Sequence, residues 1–158
     1  MSTSPSGPSL AGAAFLLAQL GAHASEQYAR RTIELGLTPA HTGLLRLVTI
    51  QPGMNQQTLS GLLGVTPSKV VALVDDLEAR GLLERRRSDT DRRATALHLT
   101  DAGQDTMAGV RKIAMEHEAT ITAALSESER LRLIGLLQQV ADEQGLTPGV
   151  HPGYRRLR

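Results

Sequence analysis

Two short apolar-striped segments meet at Gly64, and that junction constrains the fold more than any other feature of the 158 residues. Upstream, Gln56 and Gln57 begin a short helix whose Leu59, Leu62 and Leu63 share one face. Downstream, Thr66-Pro67 reads as an N-cap followed by proline at the first helical position. Val70, Leu73, Val74 and Leu77 then fall at i, i+3, i+4 and i+7, a single buried stripe. Gly64 stands where the chain must turn sharply, and Val65 plugs the core beneath it. Two helices joined by a three-residue turn containing Gly make a helix-turn-helix. When such a pair binds DNA, its second helix lies in the major groove with its N-terminal residues on base edges. Here Thr66, Ser68, Lys69, Val71 and Ala72 occupy that end, and the helix start offers free N–H groups and a positive dipole to a phosphate. Many helix pairs turn at Gly without touching DNA, so the segment that follows decides.

That segment is rich in arginine. Fifteen of the seventeen basic residues are Arg, and six of them lie between Arg80 and Arg93, although the net charge of the chain is only +1. Residues 83–88 and 94–99 are strand candidates, and Ser88, Asp89, Thr90, Asp91, Arg92 and Arg93 form a polar, turn-forming joint between them. A helix-turn-helix followed by a hairpin with arginines at its tip is a winged helix. Its tip arginine suits the minor groove, where the negative potential attracts guanidinium.

The flanks are helical by pattern. Ala13, Leu17, Leu20, Ala24 and Tyr28 recur at helical spacing within residues 10–35, and Gly36 follows as a stop. Thr38-Pro39 begins a helix carrying Leu44, Leu45, Leu47 and Val48 that ends at Pro52-Gly53. Thr100-Asp101 begins a long helix, and Ser126 with Glu129 is a capping box for a last one reaching about Gln144. Met107, Val110, Ala114, His117, Ile121 and Ala124 step by threes and fours along the long helix, a seam that asks for a partner helix. The expected organisation is a disordered tail (1–9), an N-terminal dimerisation helix (10–35), a winged helix-turn-helix DNA-binding domain (36–100), C-terminal dimerisation helices (101–144) and a basic flexible tail (145–158). The fold class is mainly α, with a two-stranded wing.

Leu82-Leu83-Glu84-Arg85, then Ser88 to Ala94, then Leu97-His98-Leu99-Thr100-Asp101-Ala102-Gly103 resemble the wing signature of the MarR (multiple antibiotic resistance regulator) family. Asp91, Arg93, Leu99, Thr100 and Gly103 match its core. The resemblance implies a homodimeric repressor on a pseudo-palindromic double-stranded operator, its first, fifth and sixth helices forming the dimer. It implies that Arg93 enters the minor groove, oriented by Asp91, with Arg92, Arg86 and Arg87 on phosphates. Gln56 and Gln57 could also hold the DNA backbone. Arg85 serves a phosphate or pairs with an acid. The recognition helix departs from the family: Val71 stands where a small hydroxyl residue is common, and Ala72 and Asp76 where Arg is common. Fewer bidentate base contacts remain, so readout leans on thymine methyls and DNA shape. The family further implies a small lipophilic or phenolic effector, for which Gln19, His23, His41, Arg46 and Arg111 are the polar groups at hand.

Other classes leave less trace. Without cysteine there is no disulfide, thiolate zinc site, cysteine nucleophile or thiol-based peroxide sensor. Phe15, Tyr28 and Tyr154 are the only aromatics, too few for base-stacking platforms. No catalytic elbow, zinc-protease motif or phosphate loop is present, so the expectation is no enzyme and no cofactor. Glu26, His41, Glu116 and His117 could hold a metal only if their helices converge, and His117 reads better as a satisfied seam histidine. No run is apolar enough to span a membrane and no signal peptide opens the chain, which predicts a soluble, cytoplasmic protein. The alternative to a DNA-binding regulator is a winged-helix interaction module, which has no need of Asp91 and Arg93.

Overall fold

A computed structural model describes residues 12–87 and 95–151. The expected N-terminal tail, the wing tip 88–94 with Asp91, Arg92 and Arg93, and residues 152–158 lie outside the described residues. Helix α1 (Ala13–Thr32) runs through a 3-10 turn (Ile33–Leu35) to Gly36; α2 (Pro39–Ile50), α3 (Gln56–Leu63) and α4 (Pro67–Ala79) follow. Strands β1 (Leu83–Arg87) and β2 (Thr95–Leu99) form the wing base, and α5 (Asp101–Ile121) and α6 (Glu127–Glu143) complete the order. The described residues thus make a mainly helical fold with one two-stranded antiparallel sheet, a winged helix with helical flanks.

The caps explain the boundaries. Thr38 accepts a bond from the His41 N–H, and His41 Nδ1 accepts the Thr38 backbone N–H at 3.2 Å, a capping box closed by histidine where Glu or Gln is usual. Ser126 and Glu129 close the expected box of α6. Gly64 has φ 64°, a left-handed turn that a side chain resists. Thr66 departs from expectation. Its backbone is in the N-cap conformation, but its hydroxyl makes no capping bond and meets Ser68 Oγ at 3.1 Å instead.

Leu44, Leu45, Leu59, Leu63, Val70, Val74 and Leu77 pack with Leu83 and Leu97 beneath the turn, each essentially without solvent exposure. At about 25 cal/mol per Å² of apolar surface, each such Leu contributes roughly 1.5–3 kcal/mol. Leu73 and Val65 are only partly buried against this core. The strands pair Leu83 with Leu99 and Arg87 with Thr95. Leu97 also bonds on its far side: its N–H donates to Met54 O at 3.0 Å, and Gly53 N–H donates to its carbonyl at 2.9 Å. The Pro52-Gly53 segment therefore pins the wing base as well as ending α2.

The seam on α5 needs correction. Met107 and Val110 are 3 % and 5 % exposed because they belong to this same core, and α1 and α2 of the same chain cover that stretch of α5. The apolar surface left open lies elsewhere. No residue of α6 is buried, and Leu131, Ile134, Leu136, Leu137 and Val140 are exposed, as are Phe15, Leu16, Leu17 and Leu20 of α1. No helix among the described residues is long and apolar enough to cross a membrane.

Candidate nucleic-acid interface and ligand cavity

Helix α4 presents Thr66, Ser68, Val71 and Ala72 to solvent at its N-terminal end, with Lys69 half-buried beside them. Val71 is 39 % exposed, an apolar side chain partly open to solvent. Farther along, α4 carries Asp75, Asp76 and Glu78, three acids that would repel a phosphate backbone if left alone. Each has a basic partner. Arg85 of β1 reaches Asp75 through Nη2 and Glu78 through Nη1, and its backbone N–H also donates to Glu78 at 3.3 Å. Asp76 Oδ2 lies 3.0 Å from His41 Nε2 and 2.9 Å from Arg80 Nη2. The recognition helix is thereby cross-linked to the wing on one side and to α2 on the other.

Arg85 is accordingly an internal cross-brace, the acid-paired of its two expected roles. Gln56 joins it: in the amide orientation that satisfies both groups, its oxygen accepts from Arg85 Nη2 at 2.9 Å and Nε at 3.2 Å. Burial, the largest single influence, acts to lower the Arg85 guanidinium pKa, but Asp75 and Glu78 together hold it above its ordinary value. Arg86 turns to Glu84 on its own strand and is exposed, Arg87 is exposed, and Gln57 is exposed on α3.

His41 sits at the crossing of α2 and α4. With Nδ1 accepting the Thr38 N–H, its proton is on Nε2, facing Asp76. Neither contact to Asp76 Oδ2 has well-formed hydrogen-bond geometry; Arg80 acts on it through charge, and His41 does so only when protonated. Burial lowers the His41 pKa, opposed by Asp76 and assisted by Arg80. The imidazole is therefore neutral at pH 7 despite the nearby carboxylate, because desolvation outweighs a half-exposed ion-pair partner. Arg80 also donates to Gly36 O, tying the end of α4 to the elbow between α1 and α2.

On the other face of α2, a cavity of about 780 Å³ opens between α1, α2, α5, α6 and residues 146–151. That volume suits a drug-sized ligand. Its polar groups include Arg46, Ser25, Tyr28, Thr42, His117 and Gln138. Among the described residues Arg46 has no ion-pair or hydrogen-bond partner, so a cation stands free at the wall. His117 is not the satisfied histidine expected: its Nδ1 is buried without a hydrogen-bond partner among the described residues. Its ring lies 5.6 Å from that of Tyr28 at 50°. Burial, with Arg31 nearby, lowers its pKa.

Of the five effector-site candidates, the structure places only Arg46 on this cavity. His41 points the opposite way, to α4, while Gln19 and His23 are exposed on α1 outside the lining. Arg111 lines a separate cavity of about 380 Å³ with Arg86, His98 and Gln104 at the wing base. Tyr28, His117, Ser25 and Gln138 were not foreseen as lining. No local signal marks them, since the cavity exists only where four helices and residues 146–151 converge. Among the described residues no three His, Asp or Glu side chains gather as a metal-ligand set.

The comparisons with known proteins agree with this geometry. Residues 35–94, from the α1–α2 elbow to the residue before β2, match the family model described as MarR family. A Thauera aromatica protein described as "Putative transcriptional regulatory protein for hcr operon" is 36 % identical over 126 residues, covering 79 % of this chain and 76 % of its own length. The transcriptional repressor CouR bound to a 23-mer DNA duplex is 34 % identical with TM-score 0.72, covering 82 % of this chain and 92 % of its own. CouR from Rhodococcus jostii RHA1 bound to p-coumaroyl-CoA superposes with TM-score 0.68 at 26 % identity, over 81 % of this chain and 90 % of that one. Motif, fold and relatives coincide: the chain belongs to the MarR family of transcriptional regulators and carries its winged-helix DNA-binding fold.

Proposed function

We propose that the protein is a homodimeric, ligand-responsive repressor of a pseudo-palindromic operator. One observation carries this: each acid of the recognition helix is paired with a cation of its own chain, while the N-terminal face of that helix is left open. So paired, these acids repel a phosphate-lined groove less than they would if left alone. Thr66, Ser68 and Lys69 then meet phosphates and base edges, and Val71 and Ala72 meet thymine methyls. Arg86, Arg87 and Arg92 hold phosphates, and Arg93, oriented by Asp91, enters the minor groove. Gln57 adds a backbone contact, whereas Gln56 acts mainly by bracing Arg85.

The dimer reading is supported by α6 and the first half of α1, whose large apolar residues stay substantially exposed in one chain. A two-fold dimer would set two α4 helices roughly 34 Å apart, one turn of B-DNA. The effector reading is supported by the cavity and its free Arg46. The ligand would be a small lipophilic or phenolic anion, such as an aromatic carboxylate; the neighbour CouR is bound to p-coumaroyl-CoA, the thioester of a phenolic acid. Such a ligand releases DNA only by binding the non-operator spacing of the two α4 helices more tightly.

Fluorescence anisotropy with duplex from the gene's own upstream region, against scrambled duplex at two salt concentrations, tests the proposal. Specific binding that falls steeply with salt is expected. Arg93→Ala should cost about 1–3 kcal/mol of operator affinity. Sedimentation at the same concentration should give twice the 16.9 kDa chain mass. No DNA binding at low salt overturns the proposal in favour of an interaction module, and a monomer at micromolar concentration overturns the dimer.

A further inference from the structure

After α6 the chain does not leave the molecule. Gly145 N–H donates to Asp142 O and Leu146 N–H to Ala141 O, both at 3.0 Å, which closes the helix end and reverses the chain. Val150 N–H then donates to Thr147 O at 3.2 Å, a tight turn. The turn sets Gly149 against Arg46 so closely that a Cβ on Gly149 would stand 2.6 Å from Arg46 Nη2. His151 Nε2 lies 3.3 Å from Ser25 Oγ on α1, fastening the segment to the far rim. All six residues 146–151 line the 780 Å³ cavity. The segment therefore spans from α6 across α2 to α1, and the only cation on the cavity wall among the described residues sits under it.

We infer that residues 146–151 are a working wall of the ligand site, forming with Arg46 a subsite for the acidic group of a lipophilic anion. The inference rests on the effector reading above and deepens it. The chemistry is complementary: Arg46 supplies the guanidinium, and Tyr28, Ala24, Val110 and Val150 supply an apolar floor for the ligand body. An anion beside this guanidinium makes a charge-assisted contact at the exposed rim of the cavity, where Arg46 stays accessible to solvent. Selection of the ligand then depends on a stretch beyond the last helix as well as on the helices themselves.

The probe is 1-anilinonaphthalene-8-sulfonate, an aromatic body with a single fixed anion, titrated by fluorescence against the full-length protein. Gly149→Asp places a carboxylate where it pairs with Arg46, and Asp tolerates the left-handed φ of 72° better than most residues. Gly149→Asn has nearly the same shape without the charge. Saturable binding by the wild type is expected, weakened at least tenfold in Gly149→Asp and in Arg46→Met and within about threefold of wild type in Gly149→Asn. Amide exchange of residues 146–151 should slow when the probe binds. Equal loss in the Asp and Asn variants overturns the charge subsite. Unchanged binding in all three variants, or tighter binding by a chain ending at Gly145, overturns the wall. Operator anisotropy on the same variants keeps the two proposals apart: intact operator binding with no probe binding sinks the subsite alone, and the reverse sinks the regulator.

Discussion

Replacing Gly103 by Ala should destabilise the protein, although helix propensity alone says the opposite. Gly103 lies in the first turn of α5, its N–H bonded to the capping Thr100 hydroxyl at 3.0 Å. That hydroxyl donates onward to Gly81 O at 2.6 Å, and Thr100 N–H reaches Leu82 O at 3.3 Å. The start of α5 is thus laced to the chain between α4 and β1. A Cβ on Gly103 would fall 1.9 Å from Leu82 O and 3.0 Å from Leu82 C, with Leu99 Cβ at 3.4 Å on the other side. The obstacle is backbone, so no rotamer change relieves it. In an open helix Gly→Ala gains about 1 kcal/mol. Here the overpacking costs about 1–3 kcal/mol, and a helix start pushed away from Leu82 loses the Thr100 cap, worth about 1 kcal/mol more. The net is a loss of about 2 kcal/mol, or roughly 4–8 °C in Tm for a chain of this length. Gly61 on α3 is the internal control, because a Cβ there meets nothing within 4 Å. Gly61→Ala should raise Tm by roughly 2–4 °C. Differential scanning calorimetry at one fixed protein concentration reads both, since any dimer makes Tm concentration-dependent. A Gly103→Ala protein as stable as the wild type would refute the close packing of α5 on Leu82.

Two further outcomes follow from the braces around α4. Arg85→Ala leaves Asp75 and Glu78 without their shared cation and frees β1 from α4; with the side chain about a quarter exposed, urea unfolding should show a loss of about 1–3 kcal/mol. Arg87→Ala on the same strand should stay within about 0.5 kcal/mol, and equal losses in the two would deny the brace. For His41, burial holds the folded pKa below the ordinary 6.5. The unfolded chain therefore binds a proton that the folded one resists, and the neutral imidazole's stabilisation, complete above about pH 6.5, is lost as pH falls through that value toward the folded pKa. Urea midpoints at pH 7.5 and 5.5 should fall less in His41→Gln than in the wild type, and identical falls would remove His41 from the account. His117, lowered for the same reason, adds to the wild-type slope in both proteins.

The local code was legible wherever one residue's chemistry settles its own surroundings. Thr38-Pro39, Gly64 and Ser126 with Glu129 mark helix ends because capping and left-handed turns are decided within four residues. The stripe of Val70, Val74 and Leu77 marks the buried face of α4 because burial follows the helical period. The wing motif ending in Gly103 pointed to the family, and the family model and relatives agree. What periodicity could not assign was the partner. Met107 and Val110 look like a seam for another chain, but the fold turns them into the same core cluster as Leu44 and Leu45 of their own chain. Apolar spacing reports that a face is buried and says nothing of what buries it. Arg85 and Arg86 read alike along the strand, yet one braces α4 and the other faces solvent, because alternate residues of a strand point to opposite sides and only the packing decides which side is filled. His41 and Arg46 are five residues apart on α2 and were grouped as one ligand set, but they emerge on different faces. The cavity itself, with His117 and Tyr28 on one wall and residues 146–151 on another, joins residues more than a hundred positions apart, a juxtaposition that only the tertiary structure creates.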